Sequence, residues 1–321
     1  MKTAARLSAY GAAVVLFGAG AFATGMTVDA PTDHLRPTAQ AGPASPGAGH
    51  GAAPAPAPAP GPHAQPAGLA STADGLTLTP VATTLPAQTP TELAFRITRA
   101  DGSPVTGYDV AHDKRMHLIL VRSDTADFQH LHPVMDTDGT WRTPVTLAGA
   151  GTYRAFADFT PTGATPTTLG VDLFAPGDFT PIAPEPNRTA TAPGGYEVTL
   201  DGDLTPGRSG DVTLTVTRNG EPVTDLQPYL GAYGHLVALR TGDLGYLHVH
   251  PQGTPGDGRT APGPQITFGT EVPSSGTYRL FLDFRHDGEV RTAAFTVPTT
   301  GSAPVAAPAT GHGDDHREGG H

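Results

Sequence analysis

The sequence predicts an all-β protein: two tandem immunoglobulin-like, or cupredoxin-like, β-sandwich domains made by internal duplication. Three observations carry this expectation. Pro104-Val105-Thr106 recurs 118 residues later as Pro222-Val223-Thr224, and self-similarity at a fixed spacing marks repeated structural units. Segments such as Thr91–Thr98 and Asp211–Thr217 alternate polar and apolar residues, the period of a half-buried strand. Seven short runs can be counted per copy, and seven strands in about 100 residues suit an immunoglobulin-like sandwich. In the second copy they centre near Val198, Leu214, Val237, Leu247, Phe268, Phe281 and Phe295, separated by Gly, Pro, Asp or Asn turns. No helical period interrupts them.

The elements follow in chain order. Lys2 and Arg6 precede an uncharged run from Leu7 to Val28. Residues 1–28 therefore read as a signal peptide, with Ala21 and Ala23 as the small residues of a cleavage site, or as a membrane anchor long enough for a ~30 Å bilayer. Both readings place the remainder outside the cytoplasm, secreted or anchored to the outer face of the cytoplasmic membrane. Residues 29–72 form a Pro/Ala-rich linker that is expected to be disordered and extended, at ~3.1 Å per residue where it adopts polyproline II. Repeat 1 is expected over 73–184 and repeat 2 over 190–298, followed by a disordered His-bearing tail over 299–321.

Composition narrows the chemistry. The 321 residues suit two domains of ~150 residues each. With no cysteine there are no disulfides, thiolate metal sites or cysteine nucleophiles. A net charge of −11 without a basic stripe argues against a nucleic-acid partner. Any metal must be held by His, carboxylate or Met.

Of the 14 histidines, six occupy equivalent positions in the two copies: His117, His130 and His132 against His235, His248 and His250. Both triplets have twelve residues between the first two histidines and end in His-x-His-Pro. Along a strand, His-x-His puts two imidazoles on one face, with Cα atoms roughly 6.5–7 Å apart, close enough to share an ion at ~2.0–2.1 Å from each nitrogen. A hairpin around Thr241-Gly242-Asp243 would return His250 toward His235. Pairing residue 240 with 246 puts His235 on the opposite face, and a one-residue change of register restores it. Three further expectations concern the surroundings. Met116 and Met135 flank the first triplet and would supply soft thioether ligands suited to copper, zinc being the alternative metal. Asp158 and Asp283, set in aromatic strands, either orient an imidazole or face solvent. His112 and His286 occur in one copy only and are weaker candidates.

The segment His235–Pro251, preceded by Pro228-Tyr229-Leu230-Gly231-Ala232-Tyr233-Gly234, resembles a group of exported, largely uncharacterised two-domain proteins of high-GC bacteria. They are loosely labelled heavy-metal-binding. The resemblance implies an exported β-protein associated with metal and supplies no reaction. No Ser-His-Asp or paired-carboxylate arrangement stands out, so binding is favoured over catalysis, with a metalloenzyme as the weaker alternative. The sequence thus leads to an extracytoplasmic copper buffer or carrier, whose partners would be the ion and a membrane or envelope copper-handling protein. The alternative is a cell-surface structural or interaction module with incidental histidines.

Overall fold

The computed structural model describes residues 66–247 and 249–301. The leader, most of the linker, most of the tail and the His248 side chain lie outside the described residues. Among the described residues there is no helix, so none is long and apolar enough to cross a membrane.

Repeat 1 contains β1 (Thr72–Ala73), β2 (Leu76–Pro80), β3 (Thr91–Arg99), β4 (His117–Arg122), β5 (Gln129–Leu131), β6 (Val134–Met135), β7 (Thr140–Val145), β8 (Gly151–Phe159) and β9 (Thr167–Ala175). Repeat 2 contains β10 (Thr189–Ala192), β11 (Tyr196–Asp201), β12 (Arg208–Arg218), β13 (Glu221–Pro222), β14 (Gly234–Arg240), β15 (Tyr246–Leu247), β16 (Val249–Pro251), β17 (Gln265–Val272), β18 (Thr277–His286) and β19 (Glu289–Pro298). In repeat 1, one sheet has the order β1-β2-β3-β7-β6 and the other β5-β4-β8-β9. Repeat 2 matches them with β10-β11-β12-β17-β16, where β13 also pairs with β12, and with β15-β14-β18-β19. These are antiparallel immunoglobulin-like sandwiches. Each also has the tyrosine corner of that fold: the Tyr153 hydroxyl donates to the Gly149 carbonyl at 2.9 Å, and the Tyr278 hydroxyl to the Ser274 carbonyl at 3.0 Å.

Two kinds of strand build each sandwich. In β12 the buried residues Val212, Leu214 and Val216 alternate with more exposed neighbours, because one face packs inward and the other meets water. In β4 and β14 both faces are covered. Met116, Leu118 and Leu120 point into the core of repeat 1, and Leu236 and Ala238 into that of repeat 2. Their neighbours Ile119, Val121, Val237 and Leu239 belong to a third apolar cluster, together with Phe156, Leu244, Tyr246 and Phe281. The two four-stranded sheets therefore pack against each other by their outer faces. Phe128 stacks on Phe281 with ring centroids 3.9 Å apart and planes 4° from parallel. Burying each such side chain contributes about 1.5–3 kcal/mol.

Residues 66–72, expected as disordered linker, are ordered against this junction. Ala67 bridges to Tyr246 of repeat 2, while the Gly68 and Leu69 carbonyls accept hydrogen bonds from Arg154 of repeat 1. Gly170 lies so close to the Gly68 carbonyl that a side chain there would collide with it. The linker thus ends in a backbone strap that touches both repeats.

Candidate functional site

The hairpin registers decide where the histidines fall. In repeat 1, Ile119 pairs with His130 and Leu118 with Leu131, so His117, His130 and His132 share the outward face of the β4–β5 hairpin. In repeat 2, Leu239 pairs with Tyr246 and the Arg240 N–H donates to the Gly245 carbonyl. This differs by one residue from the 240–246 pairing and puts Tyr246 on the face that His235 shares, by strand alternation, with Val237 and Leu239. The chain then leaves this sheet. Val249–Pro251 pairs with β17 in the other sheet, which carries His250 to an exposed position.

One cluster results, at the junction of the repeats. Nitrogens of His117, His130 and His235 all lie within 4.8 Å of one another. The His117 and His235 rings are parallel to within 2°, with centroids 5.5 Å apart, and the His130 ring is 4.7 Å from that of His235. His132 is 5.1 Å from His117 and 4.7 Å from His130, while His112 is 5.8 Å from His235. His117 Nδ1 lies 3.2 Å from His130 Nε2. Their outer nitrogens are fixed by acceptors: the Ala111 carbonyl 3.0 Å from His117 Nε2, and an Asp283 carboxylate oxygen 2.8 Å from His130 Nδ1. The Thr292 hydroxyl donates to the other Asp283 oxygen at 2.5 Å. The His130 and Asp283 side chains are only 2% and 3% exposed, so this contact between the repeats is dry.

Burial sets the protonation of the cluster. It pushes His117 down to about 4 and His132 down to about 3, with neighbouring imidazoles adding to the effect at both. It also lowers His112, and takes His235 well below the ordinary imidazole value. These rings are neutral at pH 7, the form in which an imidazole ligates metal. His132 Nε2 is buried and without a hydrogen-bond partner among the described residues.

The other candidates fall elsewhere. Met116 is buried in the core of repeat 1, on the face of the chain opposite His117, because successive strand residues alternate. Met135 packs against the same core. Met116 is therefore a packing residue rather than a ligand to the cluster, while the partly buried Met135 also lines a surface pocket with His132. His286 is a buried structural group: its Nδ1 lies 2.6 Å from the Tyr196 hydroxyl and its Nε2 2.9 Å from Asp225. Asp158, the repeat-1 equivalent of Asp283, accepts from the Thr168 hydroxyl at 3.1 Å, and burial pushes its carboxyl up to about 6. Of the second-copy triad, His235 joins the histidines of repeat 1, His250 follows β16 into the other sheet yet stays near enough to His112 to add to the lowering of its pKa by burial, and His248 lies outside the described residues. Repeated spacing revealed the two triplets; the convergence of His117, His130 and His235 across the domain junction had no local signal.

The chain belongs to the family described as Domain of unknown function (DUF8832), whose model matches residues 71–171 and again 190–301. No curated protein matches the chain by sequence. Among solved structures it is similar to FdeC, an Escherichia coli adhesin, with 15% identity and a TM-score of 0.22 over 72% of this chain and 65% of that one. It is also similar to the integrin-binding bacterial invasin, with 11% identity and a TM-score of 0.22 over 72% of this chain and 40% of that one. For the D00-D0 domain of intimin the identity is 11% and the TM-score 0.20, over 69% of this chain and 98% of that one. The chain spans less than two thirds of the FdeC and invasin structures.

The expectation of a copper buffer or carrier is corrected. The geometry carries the correction: His117, at 4% exposed, and the dry His130–Asp283 contact are shut into a domain junction, whereas a carrier must present its ligands for loading and release.

Proposed function

We propose that this chain is an extracytoplasmic structural or interaction module rather than an enzyme: two immunoglobulin-like domains fused into one stiff block on a Pro-rich spacer. The apolar junction supports this reading most directly. Ile119, Val121 and Phe156 of repeat 1 pack against Val237, Leu239 and Phe281 of repeat 2, so both domains give up an outer sheet face to hold a fixed orientation. The remaining sheet of each repeat is left facing outward for contact. The Pro-rich spacer extends this block from the secretory leader or anchor that the sequence predicts.

The test is made on intact producing cells. Added protease should release a fragment spanning residues 66–301, and deletion of the chain should alter envelope integrity or attachment while leaving growth in excess copper unchanged. A fragment protected until the cells are lysed overturns the location. A copper-sensitive deletion strain with an unaltered envelope overturns the module reading.

A further inference from the structure

The surface-module reading leaves the histidine cluster without a role, and one contact within it calls for a cation. The Ala111 carbonyl and the Asp283 carboxylate are acceptors, so His117 Nε2 and His130 Nδ1 carry the ring protons. In neutral rings the opposite nitrogens, His117 Nδ1 and His130 Nε2, both present lone pairs, and they face each other at 3.2 Å. Tetrahedral zinc at ~2.0–2.1 Å from each ligand nitrogen separates those nitrogens by roughly 3.3 Å. The pair already stands at ligand spacing, and a His235 nitrogen from the other repeat lies within 4.8 Å of both.

We propose that His117 Nδ1, His130 Nε2 and a His235 nitrogen bind one divalent transition-metal ion, Zn(II) or Cu(II), across the domain junction, and that this ion clamps the two repeats together. The His132 ring, 5.1 Å from that of His117 and 4.7 Å from that of His130, adjoins this set of three donors, with its Nε2 buried and without a partner among the described residues. Asp283 and the Ala111 carbonyl orient two of the rings, the arrangement by which carboxylates and carbonyls fix metal-bound imidazoles. Asp283 lies on repeat 2 while the ring it holds lies on repeat 1, so the orienting contact crosses the junction as the ligand set does. A single proton on His130 Nε2 would also satisfy the 3.2 Å contact, and experiment separates the two. The proposal goes beyond the surface-module reading and does not depend on it: a block held by its apolar junction alone is still a surface module.

The test uses the full chain without an affinity tag, exposed separately to ZnCl2 and CuCl2 and then dialysed. His117→Asn and His130→Gln are compared in the same chain, so that linker and tail histidines contribute equally. Wild type should hold one more tightly bound ion than either variant, and metal should raise the Tm of wild type only. Asp283→Asn should weaken binding roughly 10–100-fold, and His250→Ala should retain the ion. Equal metal content in wild type and both variants, or a wild-type Tm unmoved by metal, overturns the proposal and leaves a shared proton between the two rings. If neither variant folds, Cu(II) electron paramagnetic resonance on the wild type decides. Coupling of the first equivalent to three or more imidazole nitrogens supports the site, and an oxygen-dominated spectrum overturns it.

Discussion

Neutral imidazoles packed in a dry junction make the fold sensitive to acid. His117 titrates near 4 in the folded protein and near its ordinary 6.5 in the unfolded chain, so the unfolded chain binds the proton more tightly. Its contribution is full above pH 6.5 and is lost as pH falls toward 4. His132 acts in the same direction with a folded value of about 3, and His112 and His235 are also lowered. Asp158 opposes them: raised from 3.8 to about 6, it favours the fold at low pH and weakens it as pH rises through 6. Four histidines outweigh one carboxyl. Urea unfolding of the metal-free protein should lose on the order of 2–4 kcal/mol between pH 7 and 4.5, and a flat profile would show that the cluster is solvated. At the same scale, Asp283→Asn removes the buried carboxylate that meets His130 and Thr292. It should cost about 1–3 kcal/mol in metal-free protein, measured by the same unfolding curves.

At the scale of elements, what could be read from the chain depended on whether the neighbours were local. All seven run centres of the second copy, from Val198 to Phe295, fall within strands, because the period of two is a property of one segment. The His-x-His face was equally legible, since it needs only the pleat. Whether the residues after the turn share the face of His235 required the register of β14 against β15, and a single residue of slip separates the two possibilities. The partner of His130 is Asp283, 153 residues away in the other repeat; its place in an aromatic strand marked the carboxylate as a candidate, but no local signal says which imidazole it meets. The same distinction explains the methionines. Proximity in sequence suggested ligands, but Met116 follows the alternation of its strand into the core. Met116→Leu, which roughly conserves volume, should therefore cost less than about 1.5 kcal/mol and leave metal binding unchanged. A measured loss of Cu(I) affinity in that variant would restore the soft-ligand idea.

At the scale of the molecule, the decisive feature is that β4 and β14 are covered on both sides. A sandwich normally buries the inner face of each sheet and leaves the outer face wet. Here Ile119, Val121 and Phe156 stand outward on one repeat and Val237, Leu239 and Phe281 on the other, and the two sets are buried in one cluster across the junction. The equivalence of the sets follows from the duplication: Ile119 corresponds to Val237, and Val121 to Leu239, at the same spacing as His117 to His235. Both repeats therefore carry an apolar outer sheet face at equivalent positions, and each supplies the other's partner within one chain. The strap at Ala67–Leu69 and the Asp283–His130 contact add further ties across or against this seam. Two domains joined this extensively should unfold together. Calorimetry of the full chain should show one transition, with the van't Hoff and calorimetric enthalpies equal. Phe281→Ala removes the ring stacked on Phe128, and a buried Phe→Ala change costs about 3–5 kcal/mol. Because that loss falls on the seam and not within either core, it should do more than lower the midpoint. The single transition should broaden or divide into two as the repeats come to melt separately. A Phe281→Ala protein that still melts as one sharp unit would show that the strap and the polar contacts couple the domains without the apolar face, and the seam would then be a consequence of the domain arrangement, not its cause.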